Sequence, residues 1–102
     1  MTGRWVAPFP TGAKFVHFYP GQQVLPDGTV LGRFKFVASF VGLPPSERFG
    51  EYAFRMTGPG QAFVQIRYDD NGQVESDNEH ICGGRLTVFD AFGNSTFYLK
   101  ED

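Results

Sequence analysis

The sequence predicts an all-β protein, folded as a small antiparallel up-and-down barrel of seven or eight strands. Apolar residues alternate with polar ones along most of the chain, and no stretch repeats them at helical spacing. The 12 Phe residues favour strands, and the 13 Gly and 7 Pro fall mostly where turns need them. The connections are too short for a parallel crossover. A two-sheet β-sandwich is the alternative, because it also limits exposed sheet edges.

The chain of 102 residues has the size of one domain, which we place at residues 1–102. Hydrophobic residues make up 41% of it and charged residues 20%. A disordered chain has too little apolar surface to offset the entropy of folding, and this composition is richer. We therefore expect a single hydrophobic core.

The first half of the chain is predicted to hold three main strands and one tight hairpin. The strands are Lys14–Tyr19, Thr29–Val41 and Glu51–Met56. The hairpin loop is Pro26-Asp27-Gly28, because Pro presets φ and Gly accepts a positive φ. Gly32 precedes the clearest alternation and suits a β-bulge or a sharp coil of the strand, either of which lets a sheet curve toward closure. Ser46–Phe49 is assigned one helical turn.

The second half is predicted to be a series of hairpins. Its strands are Gln61–Tyr68, a weaker Gln73–Ser76, Arg85–Ala91 and Ser95–Lys100. Asn71-Gly72, Gly83-Gly84 and Phe92-Gly93-Asn94 supply the turns, since Gly and Asn tolerate positive φ. The acidic cluster Glu75, Asp77 and Glu79 is interpreted as a solvated turn region, because its spacing lacks the tight oxygen cage that Ca²⁺ needs.

The alternation also predicts which side chains form the core. The predicted core residues are Phe15, Phe34, Phe36, Phe40, Tyr52, Phe54, Met56, Val64, Ile66, Leu86, Val88, Phe97 and Leu99. Four phenylalanines fall outside this set, on the opposite face or in a loop: Phe18, Phe63, Phe89 and Phe92. Aromatic rings that the core cannot absorb indicate a binding face. We therefore predict that these four, with Tyr19 and Arg67, contact a ligand or partner.

Two short motifs resemble those of known families. Gly3-Arg4-Trp5 resembles the Gly-x-Trp signature of lipocalins, and this three-residue resemblance implies an up-and-down barrel. The stretch from Gly32 to Val37 resembles the aromatic and basic strands of cold-shock and RNA-recognition domains, in which exposed rings stack on bases. Here Phe34 and Phe36 belong to the predicted core stripe, so we expect no nucleic-acid binding.

Charge and cysteine content narrow the function classes further. The net charge of −2 and the pI near 5.6 provide no cationic field for a phosphate backbone. Cys82 is the single cysteine, which excludes the class of secreted domains stapled by internal disulfides. The N-terminal ten residues lack a signal-peptide pattern, and no apolar run is long enough to span a bilayer. We expect a cytoplasmic protein without a membrane partner.

Few residues suggest catalysis or metal binding. No nucleophile elbow, zinc-protease motif or phosphate loop is present. His17 is predicted to point inward, where it could act as a base together with Asp90. His80 and Cys82 share one face of a strand, but a zinc site needs at least three protein ligands and nothing nearby completes it. No cofactor and no metal are predicted, and Cys82 is interpreted as a small buried hydrophobe.

These observations predict a non-enzymatic binding module. Its partner is expected to be a small apolar molecule, a protein or a second copy of the chain. One alternative is a small barrel enzyme of the isomerase or cyclase type that uses His17 and Asp90. The other is a structural module that assembles into homo-oligomers through its outer phenylalanines.

Overall fold

The computed structural model describes residues 2–90 and 92–101, and its regular structure consists of β-strands. The strands are β1 (Gly3–Phe9), β2 (Gly12–Phe18), β3 (Gln23–Val24), β4 (Val30–Phe40), β5 (Ser46–Gly58), β6 (Gln61–Tyr68), β7 (Val74–Cys82), β8 (Arg85–Phe89) and β9 (Ser95–Glu101). None of the described residues belongs to a helix of the length and apolarity that crossing a membrane requires.

Eight of these strands form a closed antiparallel barrel. The sheet order is β2-β1-β9-β8-β7-β6-β5-β4, and an additional β2–β4 pairing joins its ends. The short β3 pairs with β4 beyond the end of β2, so it is one extra strand at the rim. Closure leaves no long unpaired edge in the ring. The predicted up-and-down barrel is confirmed, and the two-sheet sandwich is excluded.

The turns follow the predicted chemistry. Gly28 has φ +89°, and the Thr29 amide donates to Asp27 Oδ1 at 2.9 Å, as expected for this hairpin. Gly72, Gly83 and Gly93 also have positive φ, in the loops β6–β7, β7–β8 and β8–β9. Because only glycine adopts this conformation without strain, these positions fix where the strands end.

Two strand predictions are wrong. The predicted first strand, Lys14–Tyr19, is in fact the second, and β1 precedes it despite Pro8. Pro8 pairs with β2 alone, because the β1–β9 pairing covers only Arg4–Val6, so it occupies an edge-like position that proline tolerates. Ser46–Phe49 is the start of β5 and not a helical turn. Ala91, the predicted end of the penultimate strand, lies outside the described residues.

The core is largely the predicted one. Phe34, Tyr52, Val64 and Leu86 are buried, with Phe36, Phe54, Ile66 and Val88 packed against them. Trp5, Val16, Phe18 and Tyr68 complete the buried cluster. The aromatic rings meet edge to face, which is the preferred geometry: Phe18 on Tyr52 at 5.4 Å and Phe34 on Tyr68 at 5.6 Å between centroids.

Five predicted core residues lie outside the core cluster. One of them, Phe40, is half-buried, with its ring centre 6.0 Å from the centre of the Phe9 ring. Leu86 pairs with Tyr98 and not with Phe97 or Leu99, so Phe97 and Leu99 face outward. A shift of one residue in register turns every side chain of a strand to its other face. Phe15 is likewise on the outer face, under the Arg4 guanidinium. Met56 is exposed beside the register shift that ends β5.

Two glycines within strands make room for buried rings. A Cβ on Gly32 would lie 2.6 Å from Tyr52 Cζ, and one on Gly50 would lie 2.6 Å from Phe34 Cε1. The β4–β5 pairing continues through Gly32 without a register shift. The predicted bulge at Gly32 is therefore wrong, and its glycine is required by the close approach of a ring.

Candidate functional site

The barrel interior holds a cavity of about 320 Å³, which we call the lumen cavity. Most of its wall is apolar, and its aromatic members are Phe18, Phe34, Phe36, Tyr68 and Tyr98. Lys14, Glu75 and Thr96 also line it, and each lies near the start of its strand. In an antiparallel meander these three strand starts share one end of the barrel. All three side chains are half-buried, so the cavity reaches solvent at that end.

One side of the lumen cavity is acidic. Glu75, Asp77 and Glu79 alternate along β7 and all line the cavity; we call them the acidic wall. β7 pairs with β6 on one side and with β8 on the other. The sequence interpretation of these residues as a solvated turn is therefore wrong: they belong to a paired strand and point inward.

Glu79 is the most deeply buried member of the acidic wall, with 4% of its surface exposed. Its cross-strand neighbours are Ala62 and Val88, whose side chains offer no hydrogen-bond donor. Glu79 Oε1 is buried without a hydrogen-bond partner among the described residues. Burial, assisted by the charge of Asp77, raises the pKa of Glu79 to about 7, because the charged form loses its hydration.

The pKa values of two groups near Glu79, Asp77 and Tyr98, are raised as well. Burial raises the pKa of Asp77, and the charges of Glu75 and Asp90 raise it further. Burial also raises the pKa of Tyr98 to about 12, with added contributions from Tyr68 and the acidic wall. The Tyr98 hydroxyl therefore keeps its proton near neutral pH and can donate a hydrogen bond inside the cavity.

Among the described residues, positive groups do not neutralise the acidic wall. Lys14 is the one cation that lines the cavity among the described residues, and its ammonium lies 5.6 Å from the centre of the Phe9 ring. No ion pair within 4.0 Å joins Lys14 to the wall. Arg48 stacks on the Tyr68 ring at 3.5 Å and pairs with Asp70 at 2.9 Å.

The sequence did contain a signal for the acidic wall. Ser76, Asn78 and His80 are as polar as the residues between them, so β7 lacks the contrast by which inward faces are recognised. The Gly83-Gly84 turn, however, pairs Ile81 with Leu86 and Glu79 with Val88. Because paired residues point to the same face, the inward prediction for Val88 implies an inward Glu79.

The structure divides the predicted binding residues between the two faces. Phe18 is 5% exposed and belongs to the core, so its assignment to an outer binding face is wrong. The β2–β4 pairing aligns it with Phe34, which sets the face of the whole strand. Phe63 and Phe89 lie on the outer face, flanking Asn78, and Phe92 is 90% exposed in the β8–β9 loop. Their role in binding stays a prediction.

Tyr19 and Arg67 are also on the outside. Tyr19 stacks on His17 with centroids 4.4 Å apart, and its carbonyl accepts a hydrogen bond from the Tyr52 hydroxyl at 2.6 Å. Arg67 pairs with Glu51 at 2.8 Å. Both side chains therefore have partners on the barrel surface and do not line the lumen cavity.

The predicted pair of His17 and Asp90 does not form an interior site. His17 alternates with buried Val16 and Phe18, so it faces outward, contrary to the inward prediction. Asp90 Oδ1 accepts from the amides of Phe92 and Asn94, both at 2.9 Å, and so closes the β8–β9 turn. The two side chains line no common cavity among the described residues.

His80 and Cys82 share the outer face of β7, and Cys82 is an exposed free thiol rather than a buried hydrophobe. Within residues 2–90 and 92–101, no group of three or more potential ligands has metal-binding geometry.

Three other depressions in the described part of the chain are larger in volume, and the smallest of them, of about 350 Å³, lies beside Phe89 and also has Glu79 in its lining. The other two lie on the outer surface. One of about 480 Å³ crosses β4 to β6, where Arg33, Glu51 and Arg67 are already ion-paired. Another, of about 440 Å³, contains His17 and Tyr19. Neither encloses an unpartnered buried group, which distinguishes both from the lumen cavity.

Together these features define a closed β-barrel with an aromatic and acidic interior. Comparison of the chain with protein-family models, curated proteins and solved structures finds no match.

Proposed function

We propose that this protein is a non-enzymatic binding module that takes a small molecule with an apolar or aromatic body into the lumen cavity. The observation that carries the proposal is the cavity itself, a mostly apolar space inside the barrel that opens at one end and also contains a buried carboxylate oxygen without a partner among the described residues. Ligand sites combine mostly apolar walls with a few placed polar groups, and this interior has both.

The size of the lumen cavity limits the ligand. A cavity of roughly 150 Å³ accommodates one benzene ring. The volume of about 320 Å³ is about twice as large, which suits a molecule of one or two rings. Phe36, Tyr68 and Tyr98 offer ring faces and edges against which such a molecule can pack.

The test uses indole-3-ethanol, a neutral two-ring probe, in isothermal titration calorimetry. We expect one probe molecule to bind per barrel. Thr96→Phe fills the cavity from the inside and should abolish binding, whereas Ser95→Phe, on the outer face of the same strand, should preserve it. Circular dichroism verifies that both variants keep the β-fold. No binding by the unmodified protein at millimolar probe, or equal binding by Thr96→Phe, would overturn the proposal.

Self-association is a second candidate function, favoured by the outer face of β8 and β9. Phe97 and Leu99 are 44% and 43% exposed there, next to the exposed Phe92 loop. Apolar groups clustered on a surface are typical of subunit contacts. Light scattering after size exclusion tests this: an oligomer that Phe97→Ser dissociates supports it, and a monomer at high micromolar concentration contradicts it.

We further propose that the module works in the cytoplasm. Cys82 is a free, exposed thiol, and a reducing compartment preserves such a group. Labelling of the thiol in intact cells with a membrane-permeant maleimide should succeed, whereas an impermeant maleimide should not react.

A further inference from the structure

We propose that the molecule bound in the lumen cavity carries a protonated amine, which the acidic wall recognises while the aromatic residues hold its apolar body. This inference rests on the proposed function, because it identifies the chemical class of the ligand for the same cavity. Four observations support it. Three carboxylates line one side of the cavity, and Glu79 Oε1 has no hydrogen-bond partner among the described residues. No cation among those residues contacts the carboxylates, and the three carboxylates are spread along β7.

The first two observations concern Glu79. Burying a carboxylate away from water is costly unless a donor or a cation compensates it. Glu79 is 4% exposed, and its Oε1 has no partner among the described residues. Its neighbour Asp77 lines the same cavity and forms no ion pair with any of the described residues. A cationic donor placed in the cavity would supply what both groups lack.

The third observation is that the described residues provide no such donor. The ammonium of Lys14 lies over the Phe9 ring, and the guanidinium of Arg48 is engaged by Tyr68 and Asp70. Other arginines pair with carboxylates on the outer surface, as Arg67 does with Glu51. Among the described residues, no cation therefore lies in contact with the acidic wall.

The fourth observation separates an organic cation from a metal ion. Alternate residues of a strand are roughly 6.5 Å apart, so the three carboxylates spread along β7 instead of converging. A metal ion requires several oxygens within about 2.6 Å of one point. An ammonium group needs only one or two acceptors, and its remaining protons can face the Tyr68 or Tyr98 ring by a cation–π contact.

The experiment compares three molecules of nearly equal shape: tryptamine, which is a cation, indole-3-ethanol, which is neutral, and indole-3-acetate, which is an anion. Calorimetry at neutral pH should show tryptamine binding about tenfold or more tighter than indole-3-ethanol, because hydrogen bonds to charged groups are the stronger ones. Indole-3-acetate should bind most weakly.

Variants assign the preference to the acidic wall. Glu79→Gln should remove most of the preference for tryptamine over indole-3-ethanol, measured as the ratio of the two dissociation constants. Asp77→Asn, at a less buried position, should reduce the preference and serves if Glu79→Gln does not fold. Glu47→Gln, which removes the same charge from an outer ion pair with Lys35, is the control and should have no effect.

The possible outcomes are distinct. Equal affinity for tryptamine and indole-3-ethanol would overturn this inference and leave the proposed function intact. A preference that persists in both Glu79→Gln and Asp77→Asn would also overturn it. If none of the three molecules binds, the proposed function itself fails.

Discussion

The barrel interior has two parts that use the same alternation of side chains but different chemistry. In one part, Trp5, Phe18, Phe34, Tyr52 and Leu86 are buried against each other, and three of them, Phe18, Phe34 and Leu86, also form the apolar side of the lumen cavity. In the other part, the acidic wall and Thr96 leave a cavity of about 320 Å³. The barrel closes through backbone pairing, so the ring of strands does not require that every inward residue be apolar.

The packed part and the acidic wall therefore contribute differently to the stability of this small domain and to binding. The packed part contributes hydrophobic burial, at roughly 1.5 to 3 kcal/mol for each large side chain. The acidic wall reduces stability, because Glu79 Oε1 is buried without a partner among the described residues. Four substitutions test whether the two parts are as different as their contacts indicate.

The largest expected effect is in the packed part. Phe34→Ala should lower the free energy of unfolding by about 3 to 5 kcal/mol, because the ring is fully buried and the cavity left behind cannot refill. Urea denaturation measures the loss. Phe97→Ala, at an outer position that is 44% exposed, is the matched control and should cost less than about 1 kcal/mol. Similar losses for both would contradict the assignment of faces.

The second effect concerns the acidic wall. Folding raises the pKa of Glu79 from 4.5 to about 7, so the folded protein retains a proton that the unfolded chain releases. Stability from this residue is therefore fully present below pH 4.5 and is lost as the pH rises through 7. Glu79→Gln should match the parent protein near pH 4.5 and exceed its stability by about 3 kcal/mol above pH 7.

Urea titrations at both pH values measure this difference, and the unliganded protein must be used. Asp77 contributes a change of the same sign, because burial raises its pKa too. The comparison of parent and variant isolates Glu79, because Asp77 is present in both. A stability difference that does not change with pH would show that Glu79 is paired or hydrated in solution.

The third effect tests the close packing of rings on glycines. A Cβ at position 50 would lie 2.6 Å from Phe34 Cε1 and would also meet the Arg67 carbonyl oxygen. Gly50→Ala should therefore cost about 1 to 3 kcal/mol by overpacking. Gly28→Ser would not serve as a control for Gly50→Ala, because φ is positive at position 28 and a side chain there would add backbone strain. Gly84→Ala is suitable, because its nearest neighbour is a flexible Lys100 atom at 3.6 Å.

The smallest effect is the loss of one hydrogen bond. The Tyr52 hydroxyl donates to the Tyr19 carbonyl at 2.6 Å and ties the packed part to the chain that leaves β2. Tyr52→Phe keeps the ring and should cost about 1 kcal/mol in thermal or urea unfolding. An unchanged midpoint would indicate that water replaces the hydroxyl at this carbonyl.

The amino-acid sequence by itself determined the fold class, the turns and half of the interior. Alternation in β4 to β6 identifies Phe34, Tyr52 and Val64 because apolar and polar residues there take opposite faces. Gly28 and Gly72 mark hairpins because their positive φ excludes most other residues.

Only the tertiary structure decided the face of β2 and β9. The face of β7, and with it the candidate site, could be inferred from the sequence only through the turn that pairs β7 with β8. In these strands both faces carry similar residues: aromatic on each side of β2, polar on each side of β7. Local preference is then equal for the two faces, and the register with a neighbouring strand chooses between them. Closure of the ring placed Glu75, Asp77 and Glu79 inside the barrel.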